Sequence, residues 1–215
     1  MQVIYEDNHL IAVFKPVGTL VQGDASGDAC LMDEVKAYLK EKYAKKGNVF
    51  LGLLHRLDRP VCGIVLFAKT SKGASRLSEQ FRNHSIIKIY HALVEGNLEK
   101  KNGTLVNWIE KNEEKNKVAV FDKETAGALR AELDYEVVQA NKNNSLLKIS
   151  LKTGRPHQIR AQFSHIGHPL VGDVKYGAKN ALKDHSISLC ATSLTFQTAT
   201  GGETRTITVE PPFKI

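Results

Sequence analysis

The pattern of apolar and polar positions along the chain predicts many strands and a few helices. Runs rich in β-branched and aromatic residues, bounded by turn residues, are typical of strands. Such runs occur at residues 3–5, 10–14, 64–68, 86–96, 118–121, 129–138 and 145–151, with a short strand pair around 105–109 and two more strands around Gly201 and Gly202. Because strands and helices do not alternate regularly, the pattern predicts an α+β fold with a central mixed or antiparallel sheet.

Helical spacing appears in residues 31–45, in residues 76–84 and in the segment that follows His157. The second of these has Leu77 and Phe81 one turn apart, and Thr70 or Ser71 precedes it as a candidate N-cap. We find no internal repeat, low-complexity stretch or linker that would separate two domains. The sequence therefore predicts a single domain over residues 1–215, with helices flanking the sheet.

Two clusters of charged residues lie at the ends of predicted strands. One, at residues 55–59, precedes the strand at 64–68, and the other, at residues 153–160, follows the strand at 145–151. Loops held by rigid strands commonly carry reactive groups. If the two loops meet, Asp58 would pair with Arg160 and be held ionised, as a nucleophile or a base requires. By spacing alone, a surface turn in which Asp58 pairs with a neighbouring arginine is an equally good interpretation.

The charge balance favours a polyanionic partner, since the net charge is +7 and the sequence pI is about 9.2. The acidic, soon polar beginning of the chain is unlike a signal peptide, and no apolar run is long enough to cross a bilayer. Cys30, Cys62 and Cys190 form no C-x-x-C pair, which indicates neither a disulfide framework nor a zinc knuckle. We therefore expect a reduced, cytoplasmic protein without a membrane segment.

A metal site is not predicted. His157, His165 and His168 are the candidate ligands, but no acidic or cysteine partner stands at metal-site spacing from them.

Four ordered segments carry recognisable motifs. Residues 8–18 match N-x-L-x-x-x-x-K-P-x-G, residues 55–69 match H-R-L-D followed by a glycine, an apolar strand and A-K, residues 88–96 match K-x-Y-x-A-x-V-x-G, and residues 153–177 match T-G-R-x-H-Q-I-R followed by G-H-P-L-x-G-D-x-x-Y-G. Through these motifs the chain resembles the RluA-type family of RNA pseudouridine synthases over nearly its whole length. One departure is Cys62, which stands where the family usually has a small hydroxyl residue; a packing role suits it better than a catalytic one.

The resemblance implies an isomerase that converts a specific uridine of structured rRNA or tRNA to pseudouridine, without cofactor or metal. Asp58 would be the catalytic residue, Tyr90 would stack on the uracil and help to remove the C5 proton, and Arg160 would pair with Asp58. The target base must leave the RNA stack, and Arg56 would fill the space that it vacates. The resemblance also implies the pseudouridine synthase catalytic fold, with an active-site cleft lined by the two charged loops and Tyr90.

RNA contacts are expected from a wider set of residues: His55, Arg56, Arg59, Lys88, Arg155 and His157. For His55, a hydrogen-bonded loop histidine is an equally good interpretation, and a solvated basic face explains the cationic residues nearly as well. Because the chain begins at the first catalytic motif, we expect the S4-like RNA-binding domain of several relatives to be absent. A monomer is the default expectation.

Two other classes of function remain open on the sequence. An RNA-binding protein or folding chaperone would keep the scaffold without the reaction, and Asp58, Tyr90 and Arg160 count against it. A hydrolase using Asp58 and a histidine lacks a convincing partner to activate water.

Overall fold

A computed structural model describes residues 1–114 and 116–215. The chain forms two compact units: the first comprises Met1–Ile86 and Ser193–Val209, and the second comprises Ile87–Thr192 and Glu210–Ile215. The single domain and the cleft expected from the sequence stay predictions. No helix in the described part of the chain is both long and apolar enough to span a membrane.

The first unit is built on an antiparallel sheet. Its elements are β1 (Gln2–Glu6), β2 (Leu10–Lys15), α1 (Leu31–Lys42), β3 (Gly52–Leu53), β4 (Cys62–Ala68), α2 (Ser71–Arg82) and β11 (Thr204–Thr208), together with the end of β10 (Leu189–Gln197), which begins in the second unit. β2 pairs with β1 and with β4, and Lys15 lies opposite Gly63. Every residue of β4 is buried, which explains its unbroken apolar sequence.

Helix α2 is held against the turn before β2. The Thr70 side chain caps the helix by accepting a hydrogen bond from the Gly73 amide at 3.1 Å. A Cβ atom at Gly73 would lie 2.6 Å from the carbonyl oxygen of His9, so only glycine allows this approach.

Glu6 connects β1 to the end of α1 and to Lys69. Its carboxylate accepts hydrogen bonds from Lys42 Nζ at 2.7 Å, from Lys69 Nζ at 2.6 Å and from the Tyr43 hydroxyl at 2.7 Å. Burial alone would raise the pKa of Glu6, but these hydrogen bonds outweigh it and lower the pKa to about 2. The carboxylate is therefore charged at neutral pH.

The second unit is an antiparallel sheet with one helix packed on it. Its elements are β5 (Ile87–Glu95), β6 (Asn102–Asn112), β7 (Lys117–Phe121), β8 (Leu129–Ala140), β9 (Asn144–Leu151), α3 (Gln158–His165) and a 3₁₀ turn (Val174–Tyr176). The antiparallel strand order is β5-β9-β8-β6-β7, and α3 packs against β6 and β7.

These elements confirm the predicted α+β class, with two differences in detail. Where the sequence predicts a short strand pair around residues 105–109, the structure has a single strand, β6. This strand pairs with both β8 and β7, and its polar residues take part in the pairing. The helix expected over 31–45 ends at Lys42, where the Lys45 amide bonds to the Lys40 carbonyl and Ala44 adopts a positive φ of 46°. This turn usually carries glycine at the position of Ala44, so the sequence gives no signal for it.

Candidate active site

Asp58 lies partly buried on the loop between β3 and β4. Its carbonyl accepts the Val61 amide at 3.0 Å, which closes a turn just before β4. His55 anchors the start of the loop, because its Nε2 accepts the Leu66 amide at 3.0 Å and its ring stacks on Phe81 at 5.0 Å. These contacts give His55 a structural role, and its RNA contact stays a prediction.

The two arginines beside Asp58 differ in their surroundings. Arg56 is exposed, as a side chain that enters RNA must be. Arg59 is exposed too, but its Nε donates to the Gly18 carbonyl at 2.9 Å and its Nη2 lies 2.8 Å from Asp28. The Gly18 amide in turn donates to the Arg59 carbonyl at 2.9 Å. Arg59 therefore ties the Asp58 loop to the turn after β2, and its RNA contact stays a prediction.

Lys15, the last residue of β2, contacts this loop, and the sequence alone assigns it no role. Its side chain is fully buried, and its Nζ donates to the carbonyls of Pro16 at 3.0 Å and Arg59 at 3.1 Å. Burial lowers the pKa of Lys15 to about 8, although the charges of Cys62 and Asp58 act in the opposite direction. Lys15 stands in the matched K-P-x-G motif, but the motif gives no sign of its burial.

In the second unit, the loop of residues 152–157 leads from β9 into α3 and is held by Gln158. The Gln158 Oε1 accepts from the Thr153 hydroxyl at 2.8 Å and from the Arg155 amide at 3.0 Å, and its Nε2 donates to the Glu132 carbonyl at 3.1 Å. His157 precedes the helix with a left-handed φ of 51°, a conformation that costs energy for a residue other than glycine. The surrounding hydrogen bonds fix this loop in one shape.

Arg160 forms a buried ion pair with Asp173. The guanidinium donates from Nε at 2.7 Å and from Nη2 at 2.9 Å, and the two side chains are only 5% and 1% exposed. Two parallel charge-assisted bonds fix the plane of the guanidinium. The sequence predicts only Asp58 as a partner for Arg160, although Asp173 stands in the matched G-H-P-L-x-G-D motif. Since Asp58 and Arg160 belong to different units, their pairing stays a prediction.

Tyr176 joins this ion pair to β7. Its ring lies 5.0 Å from the Arg160 guanidinium, and its hydroxyl accepts the Val118 amide at 3.0 Å. The same hydroxyl lies 2.7 Å from His157 Nδ1. One ring nitrogen of His157 is therefore occupied by a contact within the second unit. The contact of His157 with RNA stays a prediction.

Lys88 and Tyr90 lie two residues apart on β5. Tyr90 is 9% exposed. Lys88 is partly buried, burial lowers its pKa, and within the described part of the chain it makes no hydrogen bond or ion pair. Its Nζ would lie 3.7 Å from a Cβ atom at Gly154, so the ammonium faces bare backbone of the 152–157 loop. An unpaired, partly desolvated cation of this kind is suited to an anionic ligand.

Arg155 follows Gly154 in the 152–157 loop. It is partly exposed, and its Nε donates to the Arg130 carbonyl at 3.0 Å.

Comparison with known proteins identifies close similarity to one family. Residues 9–165 match the family model described as RNA pseudouridylate synthase. The chain is 33% identical to ribosomal large subunit pseudouridine synthase D of Zymomonas mobilis over 82% of its own length and 56% of that protein's. It is 35% identical to tRNA pseudouridine synthase C of Vibrio cholerae, over 82% of this chain and 74% of that one. The chain thus spans little more than half of the first relative.

Among solved structures, human RNA Pseudouridylate Synthase Domain Containing 4 is similar with a TM-score of 0.82 and 22% identity, over 98% of this chain and 88% of that one. This likeness confirms the predicted fold.

Proposed function

The chain belongs to the RluA-type family of RNA pseudouridine synthases, and we propose that it isomerises a specific uridine to pseudouridine in structured rRNA or tRNA. Its relatives include a ribosomal large subunit pseudouridine synthase and a tRNA pseudouridine synthase, which supports both classes of substrate. We expect the protein to act in the cytoplasm as a monomer, with no cofactor or metal.

The observation that carries the proposal is the way the Asp58 loop is held. His55 bonds to β4, Arg59 bonds to the turn after β2, and Lys15 bonds to the loop carbonyl that follows Asp58. Groups held by several independent contacts keep the geometry that covalent or proton-transfer chemistry needs. A surface turn with one ion pair, the alternative left open by the spacing, would not require a fully buried lysine beneath it.

In the proposed reaction, Asp58 is the catalytic residue. The bond between uracil N1 and C1′ of the sugar breaks, the uracil turns, and a bond forms between C5 and the same C1′. The C5 proton is lost and N1 gains one, so the atoms balance within the nucleotide. Tyr90 stacks on the uracil and assists removal of the C5 proton, and Arg160 is the proposed ion-pair partner of Asp58.

Access to the uracil requires that the nucleotide be flipped out of the RNA, which costs about a few kcal/mol of stacking. Arg56 is exposed and would fill the vacated space. The remaining residues predicted to contact RNA would bind the phosphates around the target uridine: His55, Arg59, Lys88, Arg155 and His157.

Release of tritium from RNA labelled at uracil C5 tests the proposal. The wild type should release the label, whereas Asp58→Asn should bind the same RNA and release none. Asp24→Asn, which changes an exposed aspartate bonded to Ser26, is the matched control and should release label at the wild-type rate. Equal release by wild type and Asp58→Asn would overturn the catalytic role of Asp58. RNA binding without release by any of the three proteins would favour the binding-protein alternative.

The modified position can be found separately. Sequencing for pseudouridine in a strain that lacks this protein should show the loss of specific sites in rRNA or in tRNA. Loss in neither class of RNA would contradict the proposed substrates.

A further inference from the structure

We propose that an exposed turn at the end of α1 binds unpaired nucleotides of the substrate RNA, with Tyr43 stacking on a base and Lys45 and Lys46 contacting phosphates. We call these three residues the Tyr43 surface. The inference rests on the proposed function only in taking RNA as the ligand. All three residues lie outside the four sequence motifs, so the resemblance gives them no role.

The Tyr43 ring is exposed and yet fixed in position. Almost half of the residue, 47%, is exposed to solvent. Its hydroxyl donates to Glu6 Oε1 at 2.7 Å and accepts from Lys69 Nζ at 3.0 Å. Glu6 and Lys69 are paired with each other, and their side chains are only 10% and 8% exposed, so the ring is anchored to an almost buried ion pair. A ring held in this way loses little conformational freedom when a base stacks on it.

Positive charge surrounds this ring. The Nζ atoms of Lys69, Lys42 and Lys45 lie 4.7, 5.7 and 5.9 Å from its centroid. Glu6 neutralises part of this charge, because it accepts hydrogen bonds from Lys42 and Lys69. Residues 36–46 nevertheless contain five lysines and one glutamate. Phosphates are therefore attracted to the place where the ring offers a stacking face.

Lys45 and Lys46 are available to a ligand. Both are exposed, and within the described part of the chain neither side chain makes a hydrogen bond or an ion pair. The turn that carries them is closed by the bond from the Lys45 amide to the Lys40 carbonyl at 3.0 Å. The ring and both cations therefore lie on one short turn. Surfaces that bind single-stranded nucleic acid combine stacking and cationic groups in the same way.

The position of the Tyr43 surface is compatible with a substrate that also reaches Asp58. The Asp58 carbonyl bonds to Val61 just before β4, whereas Tyr43 contacts Lys69 just after it. The seven residues of β4 span about 20 Å. Stacked nucleotides rise about 3.4 Å each, so about six nucleotides would connect the two places.

The charges alone have a simpler interpretation. Lysines near the end of a helix stabilise its dipole, and this role requires no ligand. It does not explain why an exposed aromatic ring is anchored among them. The two interpretations differ in what they predict for RNA, because stacking requires the free face of an unpaired base.

Two variants of Tyr43 test the stacking. Tyr43→Leu and Tyr43→Phe both lose the hydroxyl bonds to Glu6 and Lys69, but only Tyr43→Leu loses the ring. The probe is a fluorescent oligouridylate of about 20 nucleotides, followed by anisotropy. Tyr43→Leu should raise its Kd by about fivefold to a hundredfold, as for the loss of one stacked base, and Tyr43→Phe should stay within about threefold of the wild type. Equal Kd values for the two variants, or no binding of this probe by the wild type, would overturn the proposal.

Duplex RNA of the same length is the matched probe. It offers phosphates but no free base face along its sides, so Tyr43→Leu should bind it as tightly as the wild type does. An equal loss of duplex and oligouridylate binding would mean that the substitution acts on charge or folding, and would overturn the stacking role.

The salt dependence of oligouridylate binding tests the two lysines. Each lost phosphate contact on a single strand should lower the slope of log K against log salt by about 0.7, so the double variant Lys45→Gln, Lys46→Gln should lower it by about 1.4. The control is Lys100→Gln, Lys101→Gln, which changes two adjacent exposed lysines before β6 and should change the slope by less than about 0.5. An unchanged slope in the first variant, or an equal fall in the control, would overturn the phosphate contacts.

A measurement on the wild type decides the matter if the Tyr43 variants fail to fold. Irradiation of the protein with oligouridylate that contains 4-thiouridine should cross-link RNA to residues 43–46, and cross-links only elsewhere would overturn the proposal. None of these measurements depends on catalysis. A wild type that binds as expected but makes no pseudouridine would contradict the proposed function alone, and an active enzyme whose Tyr43→Leu variant binds like the wild type would contradict the Tyr43 surface alone.

Discussion

The substitution Asp173→Asn tests the buried ion pair that holds Arg160. Asparagine has nearly the shape of aspartate, so the change removes the charge and leaves the packing in place. The two partners are 5% and 1% exposed, and the guanidinium would then carry its charge into the interior of the second unit without this carboxylate. We expect a large loss of stability for that reason.

The magnitude follows from the contacts. Loss of one partner of a buried pair costs about 3–5 kcal/mol. The asparagine oxygen still accepts one of the two bonds, and the Tyr176 ring at 5.0 Å still contributes about 1 kcal/mol to the cation. We therefore expect the low end of the range, about 3 kcal/mol.

Urea unfolding followed by the fluorescence of Trp108 is a suitable assay. Trp108 is the single tryptophan of the chain and lies on β6 of the second unit, the unit that holds the ion pair. With a slope of about 2 kcal/mol per molar urea, the midpoint should fall by about 1.5 M.

The matched control is Glu113→Gln, which removes the carboxylate of a pair with Lys111 in which the two side chains are 78% and 34% exposed. Exposed pairs contribute little, so its midpoint should stay within about 0.3 M of the wild type. A loss below about 1 kcal/mol in Asp173→Asn would refute the reasoning, because such a value is typical of a solvent-screened pair.

Three further substitutions test separate contacts. Tyr176→Phe keeps the ring and removes the hydroxyl, so the Val118 amide should exchange with deuterium faster and stability should fall by about 1–2 kcal/mol; unchanged exchange would contradict this account of the hydroxyl. Lys88→Met should raise stability, because a desolvated ammonium is removed, yet weaken RNA binding and reduce its salt slope by about 1; a wild-type slope would exclude a phosphate contact. Glu6, whose pKa is about 2 when folded and 4.5 in the unfolded chain, contributes stability above pH 4.5 that is lost as the pH falls towards 2. Glu6→Gln should therefore be less stable than the wild type at pH 7, and its free energy of unfolding should change less between pH 4.5 and pH 2. If the free energy of unfolding depended on pH equally in the two proteins, the role of these hydrogen bonds would be ruled out.

Local patterns in the sequence predict much of the fold. The apolar run at 64–68 predicts a buried strand, and β4 is buried at every position. Thr70 is a predicted N-cap, and its side chain caps α2. These features depend on residues that are close together in the chain, so they can be predicted directly from the sequence. The single strand β6 could not be predicted in the same way, because its length is set by pairing with β8 and β7 across the sheet.

The sequence predicts only part of the candidate active site, for the same reason. The motifs identify Asp58, Tyr90 and Arg160, but not what holds them. Asp173 lies 13 residues from Arg160, and the Arg59 carbonyl lies 44 residues from the lysine that bonds to it. Burial of Lys15 contradicts the ordinary preference of lysine for solvent, so no pattern of hydrophobicity could reveal it. The proposed meeting of Asp58 with Arg160 stays a prediction for experiment.

The central claim is that this chain makes pseudouridine and that Asp58 is required. Unmodified rRNA and tRNA transcripts incubated with pure protein, digested to nucleosides and separated by chromatography, test it most directly, since pseudouridine and uridine have the same mass but different retention. Pseudouridine should accumulate with the wild type and be absent with Asp58→Asn at equal RNA binding. The account would be contradicted if the wild type formed no pseudouridine in either class of RNA. It would also be contradicted if Asp58→Asn formed as much pseudouridine as the wild type.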